Sequence, residues 1–258
     1  MIVTILVNSD NQENYIIQCL NSCIKQKYKN VQIILAYNNL KNILVIKKKF
    51  KNKILFIKVK KKYFYNTQDQ LDKIKKSLIY IKGKYVFLLD GDDFFCDKKL
   101  STIMKIVKND NILLQDNYYE LKNNKKQIPY QRKYKELNIY KYLINDWPRR
   151  VCTSTQVVNT KILKKFFYKT NPFKWKFLAI DIQLAIFCSN YFKIKYINSF
   201  FTVKNVVKNS VDESFRSLFN KYFWLRRKEQ HELNNFYSKK YFNGIDYYLT
   251  YLIVFFLK

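Results

Sequence analysis

The sequence from Gly83 to Asp93 is Gly-Lys-Tyr-Val-Phe-Leu-Leu-Asp-Gly-Asp-Asp, and it predicts both the fold and the place of the site. Residues 85–89 form an unbroken apolar run of strand length, which is typical of a central strand covered on both faces. The run ends directly at the polar turn Asp90-Gly91-Asp92-Asp93. Because ligands of open α/β sheets bind beyond the carboxyl ends of strands, we predict a site at this turn.

Strand and helix patterns alternate on the N-terminal side of this segment. Apolar runs predict strands at residues 2–7, 31–36 and 54–59, and apolar residues at helical spacing predict helices at 15–24 and 68–81. This alternation predicts an α/β fold whose mostly parallel sheet is flanked by helices.

Weaker patterns continue on the C-terminal side. They predict a helix from about residue 97, strands at 152–158 and 196–203, and a helix at 178–188. From about Ser214 the chain is basic and helical in pattern. We therefore expect a domain at residues 1–213 and a helical C-terminal extension at residues 214–258.

The net charge of +30 comes from 49 Lys and Arg against 19 Asp and Glu. Such a balance suits a polyanionic partner, but only six of the 49 basic residues are Arg, whose bidentate fork nucleic-acid readers prefer. We therefore expect no nucleic-acid partner and a largely solvated basic surface. A peripheral attraction to an anionic membrane is compatible with this charge.

The cysteines and the two terminal segments predict where in the cell the protein is located. The five cysteines are odd in number and show no disulfide or zinc pattern, which favours reduced thiols in a cytoplasmic protein. The first seven residues lack the basic region of a signal peptide. The apolar segment 247–258 is shorter than the roughly 20 residues that span a bilayer. Two alternatives remain for it: a helix packed on the domain, or an interfacial membrane anchor.

The carboxylates of the acidic turn suit a metal ion. Three carboxylates within four residues at a strand end repel one another by several kcal/mol at an intermediate effective dielectric constant of about 20. A divalent cation removes this repulsion, and Mg²⁺ or Mn²⁺ also bridges the oxygens of a diphosphate. The alternative is an ordinary turn, in which Asp and Gly are preferred residues.

Two blocks of the sequence resemble glycosyltransferase family 2. The first comprises Val3–Asn11, Tyr15-Ile16, Cys19–Ser22 and Gln26–Ile34, and the second is Gly83–Asp93 with Lys99-Leu100 following. The resemblance is good over about residues 1–110 and weaker to about 205. It implies the GT-A fold and an inverting, metal-dependent glycosyltransferase that uses Mn²⁺ or Mg²⁺. The donor would be a nucleotide-sugar, with a UDP-sugar favoured, and the acceptor a glycan or lipid-linked molecule of surface polysaccharide synthesis.

The resemblance also assigns roles to individual residues. It implies that the first two strand-end loops and the acidic turn bind the nucleotide-sugar, through Ser9, Asp10, Tyr37, Asn38, Asp90 and Gly91. Asp92 would bind the metal, and Asp181, in the predicted helix at 178–188, would be the general base. The alternative for Asp181 is a structural residue at a helix start.

Several departures from the family pattern favour a second hypothesis. Ala36-Tyr37-Asn38-Asn39-Leu40 stands where the family carries Asp-Asp-Gly-Ser, so Tyr37 would stack on the base and Asn38 would hydrogen-bond to it. The Ala-Arg-Asn segment and a His after the last strand are also missing. The alternative function is therefore a non-catalytic nucleotide-sugar-binding homologue. We expect a helix-face or surface position for His231, and solvated positions for the pairs Arg149-Arg150 and Arg226-Arg227.

Overall fold

A computed structural model describes residues 1–107, 112–123, 125–129, 151–206, 217–238 and 243–257. Its centre is a nine-stranded sheet with the order β3-β2-β1-β4-β8-β6-β9-β5, and β7 pairs with β6 outside this path. The strands are β1 (Val3–Ser9), β2 (Val31–Tyr37), β3 (Leu55–Lys58), β4 (Tyr85–Asp90), β5 (Phe94–Phe95), β6 (Ile112–Lys122), β7 (Lys125–Gln127), β8 (Gln156–Asn159) and β9 (Lys193–Asn205).

Most of the sheet is parallel. Strands β3, β2, β1 and β4 pair in parallel, β8 runs antiparallel between β4 and β6, and β9 is parallel to β6. This confirms the α/β fold with a mostly parallel sheet. The carboxyl ends of β1, β2 and β4 consequently lie at one edge, where the polar residues that follow each strand meet.

Eight helices cover the sheet and continue into the C-terminal region. They are α1 (Glu13–Ile24), α2 (Ile43–Lys49), α3 (Asn66–Ser77), α4 (Lys99–Ile106), α5 (Thr160–Lys169), α6 (Ile180–Tyr191), α7 (Lys221–Ser238) and α8 (Ile245–Phe256) among the described residues. Strand β8 begins only at Gln156, because Thr153–Thr155 form a 3-10 turn. The strand predicted at 152–158 is therefore wrong in its first half.

Two apolar cores lie on opposite faces of the sheet. In β4, Val86 and Leu88 pack into one core with α3, α5 and α6, while Phe87 and Leu89 pack into the other with α1 and α4. Burial on both faces explains why the strand sequences are continuous apolar runs rather than alternating ones. The acidic turn is thereby held at the end of the most deeply buried part of the sheet.

The C-terminal helices dock on the domain. Leu233 of α7 belongs to the core that contains α6, and α8 packs on α7 through Asp246, which accepts from Arg227 at 2.8 Å. His231 is fully buried, 3.3 Å from the hydroxyl of Thr250, and burial lowers its pKa to about 4. Its role is thus structural, on a buried helix face. The domain limit at residue 213 stays a prediction, because residues 207–216 are outside the described part.

Candidate active site

The acidic turn is pressed against the end of β1. The Gly91 N–H donates to the Asn8 carbonyl at 2.8 Å, and the Asp93 N–H closes the turn on the Asp90 carbonyl at 3.0 Å. A Cβ at residue 91 would lie 2.6 Å from Ser9 Oγ and 2.5 Å from Gln12 Oε1, closer than carbon atoms approach such groups. The close contact therefore requires glycine at this position. Ser9 and Gly91 lie side by side, as they would if both bind the nucleotide-sugar.

Asp93 points into the protein rather than toward the site. Its side chain is 2% exposed and accepts hydrogen bonds from Ser154 Oγ at 2.6 Å and from the Asn205 N–H at 3.0 Å. Burial raises its pKa, and the charges of Asp92 and Asp90 add to this effect. Asp93 therefore ties the turn to the 3-10 turn and to β9, and only two carboxylates of the turn remain for a ligand.

Asp90 ends β4 and faces α3. Its carboxylate accepts from Gln70 Nε2 at 2.8 Å, and its N–H donates to Ser154 Oγ at 3.1 Å. Enclosure by the protein, together with the negative charges of Asp92 and Asp181, raises the pKa of Asp90 to about 7. An excess of negative charge therefore surrounds this carboxylate, and a bound cation would lower the pKa again.

Asp92 is half-buried between Asp90 and the core-facing Asp93. Its main-chain carbonyl accepts from Asn205 Nδ2 at the end of β9. The Asp92 carbonyl is thus held by a contact with another strand, which restrains the backbone that carries the carboxylate.

Asp181 lies in the first turn of α6, as predicted, and its side chain is 8% exposed. Its Oδ1 accepts from the N–H of Ile182 at 2.7 Å, and its main-chain carbonyl accepts from Gln156 Nε2 at 2.8 Å. Since its charge raises the pKa of Asp90, the two carboxylates are electrostatically coupled. The fold brings residues 90 and 181 to the same site.

Glu229 of α7 supports the segment that leads into α6. Its two carboxylate oxygens accept from the N–H groups of Lys176 and Phe177 at 2.9 and 2.7 Å. Burial raises the pKa of Glu229 to about 7, while these two hydrogen bonds act in the opposite direction. The C-terminal extension therefore holds the chain just before the helix that carries Asp181.

The predicted base-binding residues fall into two groups. Asn38 is 4% exposed and donates through Nδ2 to Asp69 Oδ2 at 2.5 Å, beside Ser9 and Asp10 at the end of β1. Tyr37 is 3% exposed and belongs to the core that contains α1 and α2, with Lys47 Nζ 6.0 Å from its ring centroid. The stacking of Tyr37 on a base stays a prediction, and in this structure the ring is core.

A buried ion pair underlies the acidic turn and was not anticipated from the sequence. Lys99 Nζ lies 2.8 Å from Asp116 Oδ1, and it donates to the Ser154 carbonyl at 2.8 Å and to Thr202 Oγ1 at 2.7 Å. Burial lowers the pKa of Lys99, and Asp116 opposes that shift. The pair joins α4, β6 and β9 to the serine that holds the turn.

Three further site residues also escaped sequence reasoning: Gln70, Ser154 and Asn205. Each is a polar residue inside a helix, a turn or a strand end, so no local pattern distinguishes it. Of the other candidates, Arg227 is paired with Asp246. Arg149, Arg150, Asp146, Asp212 and Glu213 lie outside the described residues.

The side-chain donors of the acidic turn determine whether this site can hold a metal ion. Within the described residues, no three His, Cys, Asp or Glu side chains are grouped so as to hold an ion by themselves. The carboxylates of Asp90 and Asp92 are hard oxygen donors of the type that Mg²⁺ and Mn²⁺ prefer, and they carry an excess of negative charge. These residues fit an ion whose remaining ligands come from a diphosphate.

An α/β sheet with a carboxylate turn beyond β4 and a second carboxylate at a helix start is the arrangement of a nucleotide-sugar-dependent glycosyltransferase of the GT-A type. Residues 2–171 match the model of Glycosyl transferase family 2. The chain belongs to this family and is a glycosyltransferase. A search of curated proteins finds no match.

Solved structures show the same fold. TarS 1–349 of S. aureus in complex with UDP aligns with a TM-score of 0.64 and 15% identity, over 98% of this chain and 70% of that one. The mannosyltransferase PcManGT of Pyrobaculum calidifontis, in complex with GDP-Man and Mn²⁺, aligns with a TM-score of 0.59 and 11% identity over 98% and 69%. GalNAc-T7 with UDP, GalNAc and Mn²⁺ gives 0.58 and 11% over 96% and 56%.

Proposed function

We propose that this glycosyltransferase is inverting and metal-dependent, and that it moves a sugar from a nucleotide-sugar to a glycan or lipid-linked acceptor in surface polysaccharide synthesis. The observation that carries this proposal is the placement of Asp181 beside the acidic turn: Gln156 Nε2 donates to the Asp181 carbonyl, and Ser154 Oγ, two residues earlier in the chain, accepts from the Asp90 N–H. The charges of Asp92 and Asp181 both raise the pKa of Asp90, in agreement with this placement. The resemblance to the family favours a UDP-sugar as donor. Solved structures of the same fold contain UDP, UDP-GlcNAc or GDP-Man, and two of them contain Mn²⁺.

The two ends of the site perform different tasks in this mechanism. Asp92, with Asp90 beside it, would hold Mn²⁺ or Mg²⁺, which when bound supplies positive charge to the departing diphosphate. Asp181 accepts the proton of the acceptor hydroxyl while the hydroxyl oxygen forms its bond to the anomeric carbon. The bond from that carbon to the diphosphate oxygen breaks on the opposite side, so the configuration inverts.

A thermal-shift screen tests the donor class. With Mn²⁺ present, a nucleoside diphosphate at about 100 times its dissociation constant stabilises the fold by about 2.7 kcal/mol, which corresponds to a rise in Tm of roughly 5 °C or more. We expect a much smaller rise with EDTA, and none with the parent nucleoside. If no nucleoside diphosphate raises Tm, the proposed donor site is wrong. Release of nucleoside diphosphate from the nucleotide-sugar then separates the enzyme from a non-catalytic homologue.

We also propose a peripheral contact with an anionic membrane through one face of α8. The inner face of this helix is packed on α7, with Thr250 and Val254 buried. Its outer face consists of large apolar side chains that are 48–76% exposed: Ile245, Tyr248, Leu249, Leu252, Phe255 and Phe256. Leu257, directly after the helix, is 42% exposed. The two alternatives for this segment, a helix packed on the domain and an interfacial membrane anchor, are therefore compatible with each other. One face of α8 packs on the protein, and the other is uncovered in the described part.

Charge supports the bilayer as the partner that we propose for this apolar face. In sequence, Lys239 and Lys240 precede α8 and Lys258 follows it, and residues 217–258 contain seven Lys and Arg against three Asp and Glu. An aromatic and aliphatic helix face flanked by lysines is the pattern of an interfacial helix on anionic lipid. No helix in the described ranges has the length and apolar character needed to cross a bilayer.

The double variant Leu252→Glu with Phe256→Glu is expected to lower partition into vesicles of phosphatidylglycerol and phosphatidylcholine by roughly 10-fold or more, because two apolar anchors become anions. Cosedimentation measures this. The matched control is Leu44→Glu with Val45→Glu, which changes two apolar residues of α2 that are 78% and 62% exposed. If both variants sediment like the wild type, the proposed contact is wrong. Donor binding should be equal in all three proteins.

A further inference from the structure

Four carboxylate and amide oxygen atoms, where α3 meets the carboxyl ends of β1 and β2, are buried without a hydrogen-bond partner in the described structure. They are Oδ1 of Asn8, Asp10, Asn38 and Asp69. Buried acceptors in proteins are nearly always hydrogen-bonded, and each one left unsatisfied costs free energy. A group of four acceptors in one place therefore indicates a ligand that brings N–H donors.

The contacts of α3 bring these atoms together. Asn8 lies opposite Ala36 in the register of β1 and β2, and Asn38 follows two residues later. Asn38 is hydrogen-bonded to Asp69, and Lys73 Nζ joins Asp69 Oδ2 at 2.9 Å to the Ser9 carbonyl at 3.2 Å. The ends of both strands and the first turns of α3 therefore converge on one polar cluster, which we call the acceptor cluster.

The nearby lysines and the Asn38 amide are already engaged, and the Ser9 hydroxyl is a buried donor without a partner, which is fewer than the four acceptors. Lys73 is 2% exposed and holds Asp69 and the Ser9 carbonyl, and the Asn38 amide donates to Asp69. Lys61 Nζ lies 3.4 Å from both Asp10 Oδ2 and Asn66 Oδ1. The acceptor cluster is thus rich in acceptors, and the cations beside it are bound to other oxygens.

This cluster lies at the base end of the donor site, an assignment that rests on the proposed function. The diphosphate would lie at the acidic turn after β4, and β1 and β2 are the next strands across the sheet. Uracil presents a single N–H between two carbonyl oxygens, and those oxygens would face further acceptors. Guanine presents an N–H and an adjacent amino group on one edge.

We propose that the acceptor cluster selects guanine, so that the donor is a GDP-sugar rather than the UDP-sugar that the family resemblance favours. The guanine ring nitrogen and 2-amino group donate to oxygens of the cluster, whereas uracil leaves most of them unsatisfied. A site built to hydrogen-bond a ligand group discriminates strongly against an analogue without it.

Calorimetric titration with GDP, inosine diphosphate and UDP in the presence of Mn²⁺ tests the base alone, because the diphosphate is constant. GDP is expected to bind about 10-fold or more tighter than UDP, and inosine diphosphate, which lacks only the 2-amino group, more weakly than GDP. UDP binding as tight as or tighter than GDP overturns the guanine assignment and leaves the proposed function standing. Binding of none of the three overturns both.

Asp10→Asn links the preference to the cluster. It replaces one carboxylate oxygen by an amide that donates, so the ratio of GDP to UDP affinity is expected to fall several-fold. Asp97→Asn makes the same chemical change at an exposed residue and should leave the ratio unaltered. An equal ratio in the wild type and Asp10→Asn, or an equal fall in both variants, contradicts recognition by the cluster.

Discussion

Asp92→Ala is expected to abolish the Mn²⁺-dependent binding of a nucleoside diphosphate while the fold stays intact. The variant removes the proposed cation ligand, and it also removes a negative charge that raises the pKa values of Asp90 and Asp93. The free energy of unfolding should therefore hold or increase. Removing even a group that supports a metal ligand weakens metal affinity by about 10- to 100-fold, so we expect a loss of roughly 100-fold or more.

Calorimetric titration of the diphosphate with and without Mn²⁺ measures this effect, and thermal unfolding of each variant checks the fold. Asp97→Ala is the matched control, since it deletes an exposed carboxylate just beyond the turn. Asp93→Asn provides a contrast. It weakens the contacts with Ser154 and Asn205, so its main expected effect is a lower Tm, whereas the main expected effect of Asp92→Ala is weaker Mn²⁺-dependent binding. Unchanged Mn²⁺-dependent affinity in folded Asp92→Ala would refute the metal assignment.

Asp181→Asn is expected to lower the rate of sugar transfer by roughly 100-fold or more with little change in donor affinity, because an amide cannot accept the acceptor proton. The replacement preserves Oδ1, which accepts from the Ile182 N–H, so the start of α6 is retained. A fall in kcat at an unchanged donor dissociation constant is therefore the signature of a base. A structural role would instead lower Tm.

The assay needs an acceptor, and its outcomes are distinct. If Asp181→Asn transfers sugar at a near-normal rate, Asp181 is structural, and Asp146, Asp212 and Glu213 become the acids to test. If the wild type binds the donor but neither transfers nor hydrolyses it, the non-catalytic homologue is the correct function. Release of nucleoside diphosphate, followed with the tightest-binding donor, separates an enzyme from the non-catalytic homologue without knowledge of the acceptor.

Parts of the fold without a strong local pattern escaped prediction. Strand β6 carries mixed polar residues after its first three positions and lies beside β9 and β8, so its pairing depends on distant strands. Helix α5 follows β8 directly, and its apolar face is short, since it consists of Ile162, Leu163, Phe166 and Phe167. Periodicity detects elements whose burial is regular over a long run, and these two are not of that kind.

The sequence by itself determined the mostly parallel sheet, the acidic turn at the end of β4, and the helix that carries Asp181 in its first turn. These features follow from local rules, because a doubly buried strand needs a continuous apolar run and a site forms where such strands end. Only the tertiary structure decided which polar side chains face a ligand. Asp93 is turned inward by Ser154 and Asn205, which are 61 and 112 residues away in the chain. Asn38 and Asp69 meet through α3, and Tyr37 enters the core. Hydrogen bonds between such distant residues satisfy some buried polar groups and leave others for a ligand, and no local pattern of residues encodes that choice.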